Sequence, residues 1–327
     1  MEARFYEHRD DKKVRCRLCP HNCLISPGKT GICRVRLNTD GTLTLPYYGK
    51  LSAVAVDPME KKPLYHFFPG SPILSVGFVG CSFHCPFCQN FRISQSVDIP
   101  TQDMTPGQLV ELARRNGAFA LAYTYSEPLI HLEYILEAAG LARSNGIKNV
   151  LVSNGYINEE PAEELLGVLD AANIDFKGNT PEFYRRELGG KLEEVKRFIR
   201  QAAGRIALEV TTLVIPTKND TEQEIEQMAS FLAEIDPDIP YHLSCYFPTY
   251  KYSIPRTSSQ AVLELAEHAR KYLHYVYVGN AGIMENTNCP DCGSTLIDRR
   301  GYAVSFPGVS GGQCTKCGRR IAIPGLP

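Results

Sequence analysis

The sequence predicts an α/β protein in which repeated βα units build a parallel sheet, closed fully or partly into a barrel of the (β/α)6 type, with a small cysteine-rich module at either end. Three observations lead there. From residue 72 onward short apolar runs alternate with amphipathic stretches, as they do where parallel strands are buried on both faces and helices cover them. Eleven of the twelve cysteines fall into three clusters, one ahead of that region, one near its start and one after it. Past Gly282 the periodicity stops and Cys, Gly and Arg become frequent.

Taken in order, residues 1–70 join Cys16, Cys19, Cys23 and Cys33 to short β-like runs at 42–45 and 51–56. They are expected to form a four-cysteine module with a lead-in. Residues 71–284 are expected to be the barrel. Its strands are predicted at 73–79, 118–123, 149–152, 172–176, 206–214, 241–245 and 275–278, and its helices at 106–116, 130–144, 161–169, 192–203, 221–235 and 259–273. Asn158 is the expected N-cap of the third helix, with Pro161 in its first turn, and Asp220 is the expected N-cap of the fifth. Crossovers of this kind are right-handed, and in a parallel barrel the chemistry collects where the strands end. Residues 285–327 are expected to be a separate C-terminal module.

A chain of 327 residues, 43% hydrophobic and 22% charged, has the apolar material for a substantial core and no long tract that reads as disordered. Its formal net charge of -1 gives no bulk attraction to nucleic acid or to an anionic membrane. The first residues carry no apolar signal core, and no run of roughly eighteen apolar residues follows, so the expected address is the cytoplasm. Cysteines there are reduced thiols, available as ligands.

The run Gly80-Cys81-Ser82-Phe83-His84-Cys85-Pro86-Phe87-Cys88 follows the first strong strand. Three thiolates spaced C-x3-C-x2-C on one loop can hold three irons of a cubane cluster and leave the fourth without a protein ligand, open to substrate or cofactor. A zinc knuckle would need a further ligand from elsewhere in the chain. Cys16, Cys19, Cys23 and Cys33 span too few residues for an apolar core, so a bound metal would contribute much of their folding free energy. Zinc and an iron–sulfur cluster use the same ligands, and sequence spacing does not separate them. The knuckles Cys289-x2-Cys292 and Cys314-x2-Cys317, each followed by glycine, fit a zinc ribbon with glycine N–H groups free to point at sulfur; a single iron suits four sulfurs equally.

Polar residues gather at the predicted strand ends: Glu127, Ser153, Asn154, Asp175 and Lys177. Alternation along a strand places Glu209 and Thr211 on one face. His242 is either a substrate or proton-handling group or a hydrogen-bonded core residue. Cys245, outside the clusters, reads as a buried inert thiol.

The C-x3-C-x2-C loop resembles that of the radical S-adenosylmethionine (SAM) superfamily. The resemblance implies a [4Fe–4S] cluster on Cys81, Cys85 and Cys88, SAM on the open iron, and reductive cleavage of SAM to a 5′-deoxyadenosyl radical that abstracts hydrogen from a substrate. In Tyr123-Thr124-Tyr125-Ser126-Glu127-Pro128, Glu127 resembles the residue of a Gly-Gly-Glu-Pro-like motif that pairs with the methionyl ammonium, although the glycines are absent. Val152-Ser153-Asn154-Gly155 and Asp175-Phe176-Lys177-Gly178 resemble strand-end motifs of the glycyl-radical-activating branch. This implies SAM or cation contacts for Ser153, Asn154, Asp175 and Lys177, with Val152 standing where that branch carries an aspartate. Glu209 and Thr211 are candidates for the same cofactor pocket and His242 for catalysis.

With the segment CRLCPHNCLISPGKTGICRVR and the terminal knuckles, these motifs resemble the radical SAM member of the AmmeMemoRadiSam system, a relative of the pyruvate formate-lyase activating enzymes. The resemblance implies a reductant such as flavodoxin or ferredoxin, association with Memo-like and AMMECR-like proteins, and zinc or iron in one or both flanking modules. Three activities stay open. They are radical chemistry on an unidentified substrate, activation of a glycyl-radical protein, and a zinc-knuckle module that binds nucleic acid or protein without radical chemistry.

Overall fold

The computed structural model describes residues 1–282 and 285–327. The junction expected between residues 284 and 285 involves Met284 and lies outside the described residues. One eight-stranded sheet organises the chain. Its strands β1 (Ala53–Pro58), β2 (Pro72–Gly77), β3 (Ala120–Thr124), β4 (Lys148–Ser153), β5 (Ala171–Asp175), β6 (Ala207–Val214), β7 (Tyr241–Cys245) and β8 (Val276–Gly279) lie side by side in chain order. All neighbours from β2 to β8 are parallel, and β1 runs antiparallel to β2. The helices α1 (Pro106–Arg115), α2 (Leu132–Ser144), α3 (Glu159–Leu166), α4 (Leu192–Ala202), α5 (Glu222–Ala233) and α6 (Ser259–Ala269) each lie between two successive parallel strands in the chain. Among the described residues β1 and β8 do not pair, so the barrel is open.

Local chemistry accounts for these elements. β3 is buried at every position and β5 at all but its last residue, because helices cover one face and barrel side chains the other. α4 buries Leu192, Val195, Phe198, Ile199 and Ala202, a stripe at helical spacing. α1 begins in a capping box, with the Thr105 hydroxyl accepting from Gln108 N and the Gln108 side chain accepting from Thr105 N.

Three expectations change. The run at 51–56, assigned from sequence to the N-terminal segment, enters the central sheet as β1, pairing from Ala53 opposite Gly77 to Pro58 opposite Pro72. Asn158 stands at the start of α3 but makes no capping bond; its amide donates to Arg17 O (2.6 Å) and Asn22 Oδ1 (3.2 Å), tying the helix to the N-terminal cysteine segment. The cap of α5 falls one residue later than expected, on Thr221, while Asp220 accepts from Thr217 N.

The N-terminal cysteines lie in and around three short antiparallel strands, Tyr6–His8, Val14–Cys16 and Leu24–Ile25. The C-terminal cysteines belong to small antiparallel sheets with an apolar cluster of their own, including Leu296, Ile297, Val309, Ile321 and Ile323. Arg299 fastens this part to the barrel: it donates to Tyr65 O (2.8 Å), and its guanidinium lies 4.3 Å from the centre of the Tyr65 ring, while a bond to Thr287 Oγ1 (2.9 Å) holds it within its own sheet. No helix among the described residues is long and apolar enough to cross a membrane.

Candidate active site

After β2 the chain turns through Gly80 into the cysteine loop. Gly80 has φ +78°, and a Cβ there would stand 2.5 Å from the Cys33 carbonyl oxygen, so the position demands glycine on both counts. Phe83 N donates to Cys81 Sγ (3.3 Å), Ser94 Oγ lies 3.1 Å from Cys88 Sγ, and Gln95 Nε2 donates to Phe83 O (3.1 Å). The Phe83 and His84 rings rest on Gly190 and Gly189, where a Cβ would meet ring atoms at 2.4 and 2.0 Å. Burial pushes the Cys81 thiol well above its ordinary value and Cys85 up to about 12.

The three cysteines line a cavity of about 360 Å³, a size that suits a small organic ligand. Thr124, Val152, Asp175, Thr211, Ser244 and Asn280, at or near the C-terminal ends of successive strands from β3 to β8, line it too. A parallel barrel gathers its functional groups at this end.

Glu127 is the most constrained polar group there. It is 1% exposed, its Oε1 accepts from Ser153 Oγ (2.7 Å) and Leu129 N (3.0 Å), and its Oε2 accepts from Asn154 N (2.9 Å). Burial raises its pKa to about 7, against the pull of these hydrogen bonds. Asn154 also donates to Ser82 Oγ (3.1 Å), linking the β4 end to the cysteine loop. Ser153 is buried behind Glu127 and positions it from outside the cavity lining. Lys177 Nζ pairs with Asp175 Oδ2 at 2.8 Å on the cavity wall. Ser126 Oγ and Thr211 Oγ1 are buried without a hydrogen-bond partner among the described residues, and both residues line the cavity.

Glu209 and His242 are not brought to that wall. Glu209 shares a strand face with Thr211 but lies two residues deeper. There its Oε1 accepts from His66 N (2.7 Å) and its Oε2 pairs with His242 Nε2 (2.6 Å), both side chains almost wholly buried. The segment around Tyr65 and His66 packs against them, with the His242 and Tyr277 rings stacked 5.2 Å apart. The expected cofactor and catalytic contacts of this pair thus give way to a buried structural one. Cys245 is a buried thiol, as expected.

Sequence reasoning passed over Lys62, Tyr125 and Asn90, which also line the cavity. Lys62 Nζ pairs with Asp57 Oδ2 (2.9 Å), Tyr125 donates to the same oxygen (2.8 Å), and Asn90 donates to Tyr125 O (2.6 Å). Lys62 had no motif to mark it, since only the fold carries β1 and its following turn to the cavity. Tyr125, at φ +69°, stood beside a motif residue and was the more findable of the two.

The flanking cysteines differ from each other. Cys289, Cys292, Cys314 and Cys317 are, among the described residues, the one set of three or more His, Cys, Asp or Glu side chains whose ligand atoms lie within 4.8 Å of one another. The glycines after the knuckles do not point at sulfur: Gly293 N donates to Cys289 O (2.8 Å) and Gly318 N to Cys314 O (2.9 Å), closing the two turns. Ser294 Oγ instead sits 3.1 and 3.3 Å from Cys292 and Cys314 Sγ.

Comparison with known proteins agrees with this geometry. The model of the radical SAM superfamily matches residues 75–232. The uncharacterized protein MJ0808 of Methanocaldococcus jannaschii is 40% identical, over 98% of this chain and 99% of its own. An isethionate sulfite-lyase activating enzyme of Oleidesulfovibrio alaskensis is 29% identical over 40% of this chain and 43% of its own. Among solved structures, Streptococcus suis SuiB bound to S-adenosylmethionine covers 68% of this chain and 53% of that one with a TM-score of 0.53 and 13% identity, a likeness of fold. A parallel barrel with an open three-thiol loop at its strand ends defines an iron–sulfur enzyme class. This chain belongs to the radical SAM superfamily, and the family implies a [4Fe–4S] cluster, SAM and an electron donor.

Proposed function

We propose that the chain holds a [4Fe–4S] cluster on Cys81, Cys85 and Cys88 and binds SAM in the adjoining cavity to abstract hydrogen from its substrate. Glu127 is the observation that carries this reading. It is a buried carboxylate fixed by three hydrogen bonds on the wall that the three thiols share, and among the described residues no cationic side chain pairs with it. Such a group asks for a cationic ligand, and the methionyl ammonium supplies one.

Cluster and SAM, once bound, supply one-electron cleavage to a 5′-deoxyadenosyl radical. The chain's own residues bind and orient. Ser153 and the Asn154 backbone hold the Glu127 carboxylate in place. Ser126 and Thr211 offer hydroxyls whose hydrogen bonds are unfilled among the described residues, a fit for the polar edge of a nucleoside. The Asp175–Lys177 pair sets the charge beside Cys85, which the loop buries.

A one-electron donor of the flavodoxin or ferredoxin type completes the system. The motif resemblance supports membership in the AmmeMemoRadiSam group, with Memo-like and AMMECR-like partners. The C-terminal sulfurs hold zinc or a single iron. Likeness to an activating enzyme supports a second reading, radical transfer to a protein glycine, which a glycyl-radical electron paramagnetic resonance doublet on a partner would reveal.

The test is anaerobic reconstitution followed by reduction with dithionite in the presence of SAM. Release of 5′-deoxyadenosine by the native chain, and its loss in Cys81→Ala, Cys85→Ala and Cys88→Ala, is the expected result. Undiminished product from those variants would move the site elsewhere.

A further inference from the structure

Gln89 and Asn90 are exposed and also line the cavity, so they stand where it opens to solvent. The next ring, Phe91, stacks on Tyr250, with 4.8 Å between centres and 13° between planes. Tyr250 belongs to residues 246–258, the segment that follows β7, and Lys251 N ties that segment to the cysteine loop by donating to Pro86 O (2.9 Å). Lys61, exposed and also on the cavity lining, comes to the same opening from the turn after β1.

The charge of this rim is one-sided. Residues 86–97 and 246–258 contain no Asp or Glu, although the chain holds 36. Their exposed Arg92, Lys251 and Arg256 make no ion pair among the described residues. A chain with a net charge of -1 does not produce such a patch by composition alone.

The rim is also aromatic. Among the described residues the large aromatic rings left exposed are Phe247, Tyr250, Tyr272 and Tyr302. Three of them carry a cation: Arg256 lies 4.9 Å from the centre of Phe247, Lys251 5.1 Å from Tyr250, and the cavity residue Lys61 5.8 Å from Tyr302. At a wet surface such pairs stabilise a fold only weakly. Rings interleaved with Lys and Arg are instead what binds a single strand of nucleic acid, the rings stacking on bases and the cations meeting phosphates. An acidic peptide would use the cations and leave the rings idle.

We infer that this rim docks a single-stranded nucleic acid, with Phe247, Tyr250 and Tyr302 stacking on bases and Arg92, Lys251 and Arg256 meeting phosphates, and so presents a nucleotide to the cavity as substrate. The inference rests on the catalytic reading above and names the substrate class of that same site.

Fluorescence anisotropy of a labelled twelve-nucleotide RNA of mixed sequence, titrated with the reconstituted, SAM-loaded full chain, tests it. Affinity should fall with salt along a log–log slope of about -2, at roughly -0.7 for each of three phosphates met. Lys251→Ala with Arg256→Ala should reduce that slope to about -0.7. Phe247→Ala with Tyr250→Ala should weaken binding at least about tenfold and leave the slope unchanged. Both double variants should keep the native iron content and the native release of 5′-deoxyadenosine with dithionite when no RNA is present. Equal binding of the same sequence as a duplex, or of polyglutamate, would overturn the inference, as would a mononucleotide that competes as tightly as the strand. A native chain that releases 5′-deoxyadenosine but binds no RNA also overturns it and leaves the catalytic reading standing. A chain that binds RNA with these slopes but releases no 5′-deoxyadenosine would instead sink the catalytic reading and keep the docking surface. The native chain's salt slope and its preference for the single strand decide even where a variant fails to fold.

Discussion

Burial holds the Glu127 carboxyl at about 7 rather than in the usual carboxylate range, and no cationic side chain among the described residues pairs with it. The folded chain therefore keeps a proton there that the unfolded chain has lost. Stability from this group is full below about pH 4.5 and declines as pH rises through 7. An incoming ammonium favours the ionised form, so SAM binding should release a proton below pH 7, and affinity should rise with pH to that point and then level. Calorimetry in buffers of different ionisation enthalpy at pH 6 checks this; binding with no proton release would count against the ammonium contact. Glu127→Gln should weaken SAM binding by about 1.5–3 kcal/mol, the range for a charge-assisted hydrogen bond, while iron content stays unchanged. Glu209→Ala should do the reverse. It leaves the His66 N–H and the His242 ring without their acceptor, at about 1–3 kcal/mol each, and so should lower the unfolding midpoint while SAM affinity of the folded fraction holds.

At the scale of elements, two glycines separate a packing role from an open surface. A Cβ on Gly190 would press to 2.4 Å from the Phe83 ring, so Gly190→Ala should displace the cysteine loop and lower iron incorporation, read as iron per chain after reconstitution. Gly140, inside α2, would meet nothing within 4 Å. Gly140→Ala should raise stability by about 0.5–1 kcal/mol in a denaturant titration with the cluster untouched. The βα elements themselves were legible, because strand and helix periods are local properties of the chain. The cap at Thr221 and the turning of Asn158 to the N-terminal segment were not, since each depends on where a neighbouring segment comes to rest.

Over the whole molecule, Arg299 joins the C-terminal module to the barrel through Tyr65, and Thr287, which Arg299 also bonds, meets the Tyr277 hydroxyl at 2.8 Å. Arg299→Ala should loosen the contact between the C-terminal sheet and the segment around Tyr65, seen as faster limited proteolysis of the full chain. The βα periods made the parallel sheet readable from residue order, and the strand-end motifs marked Glu127 and the cysteine loop, which the fold brings to one cavity. Only the tertiary structure sets Glu209 and His242 below the cavity and brings Lys62 to its wall. Those outcomes rest on distances between segments far apart in the chain, which no local pattern records.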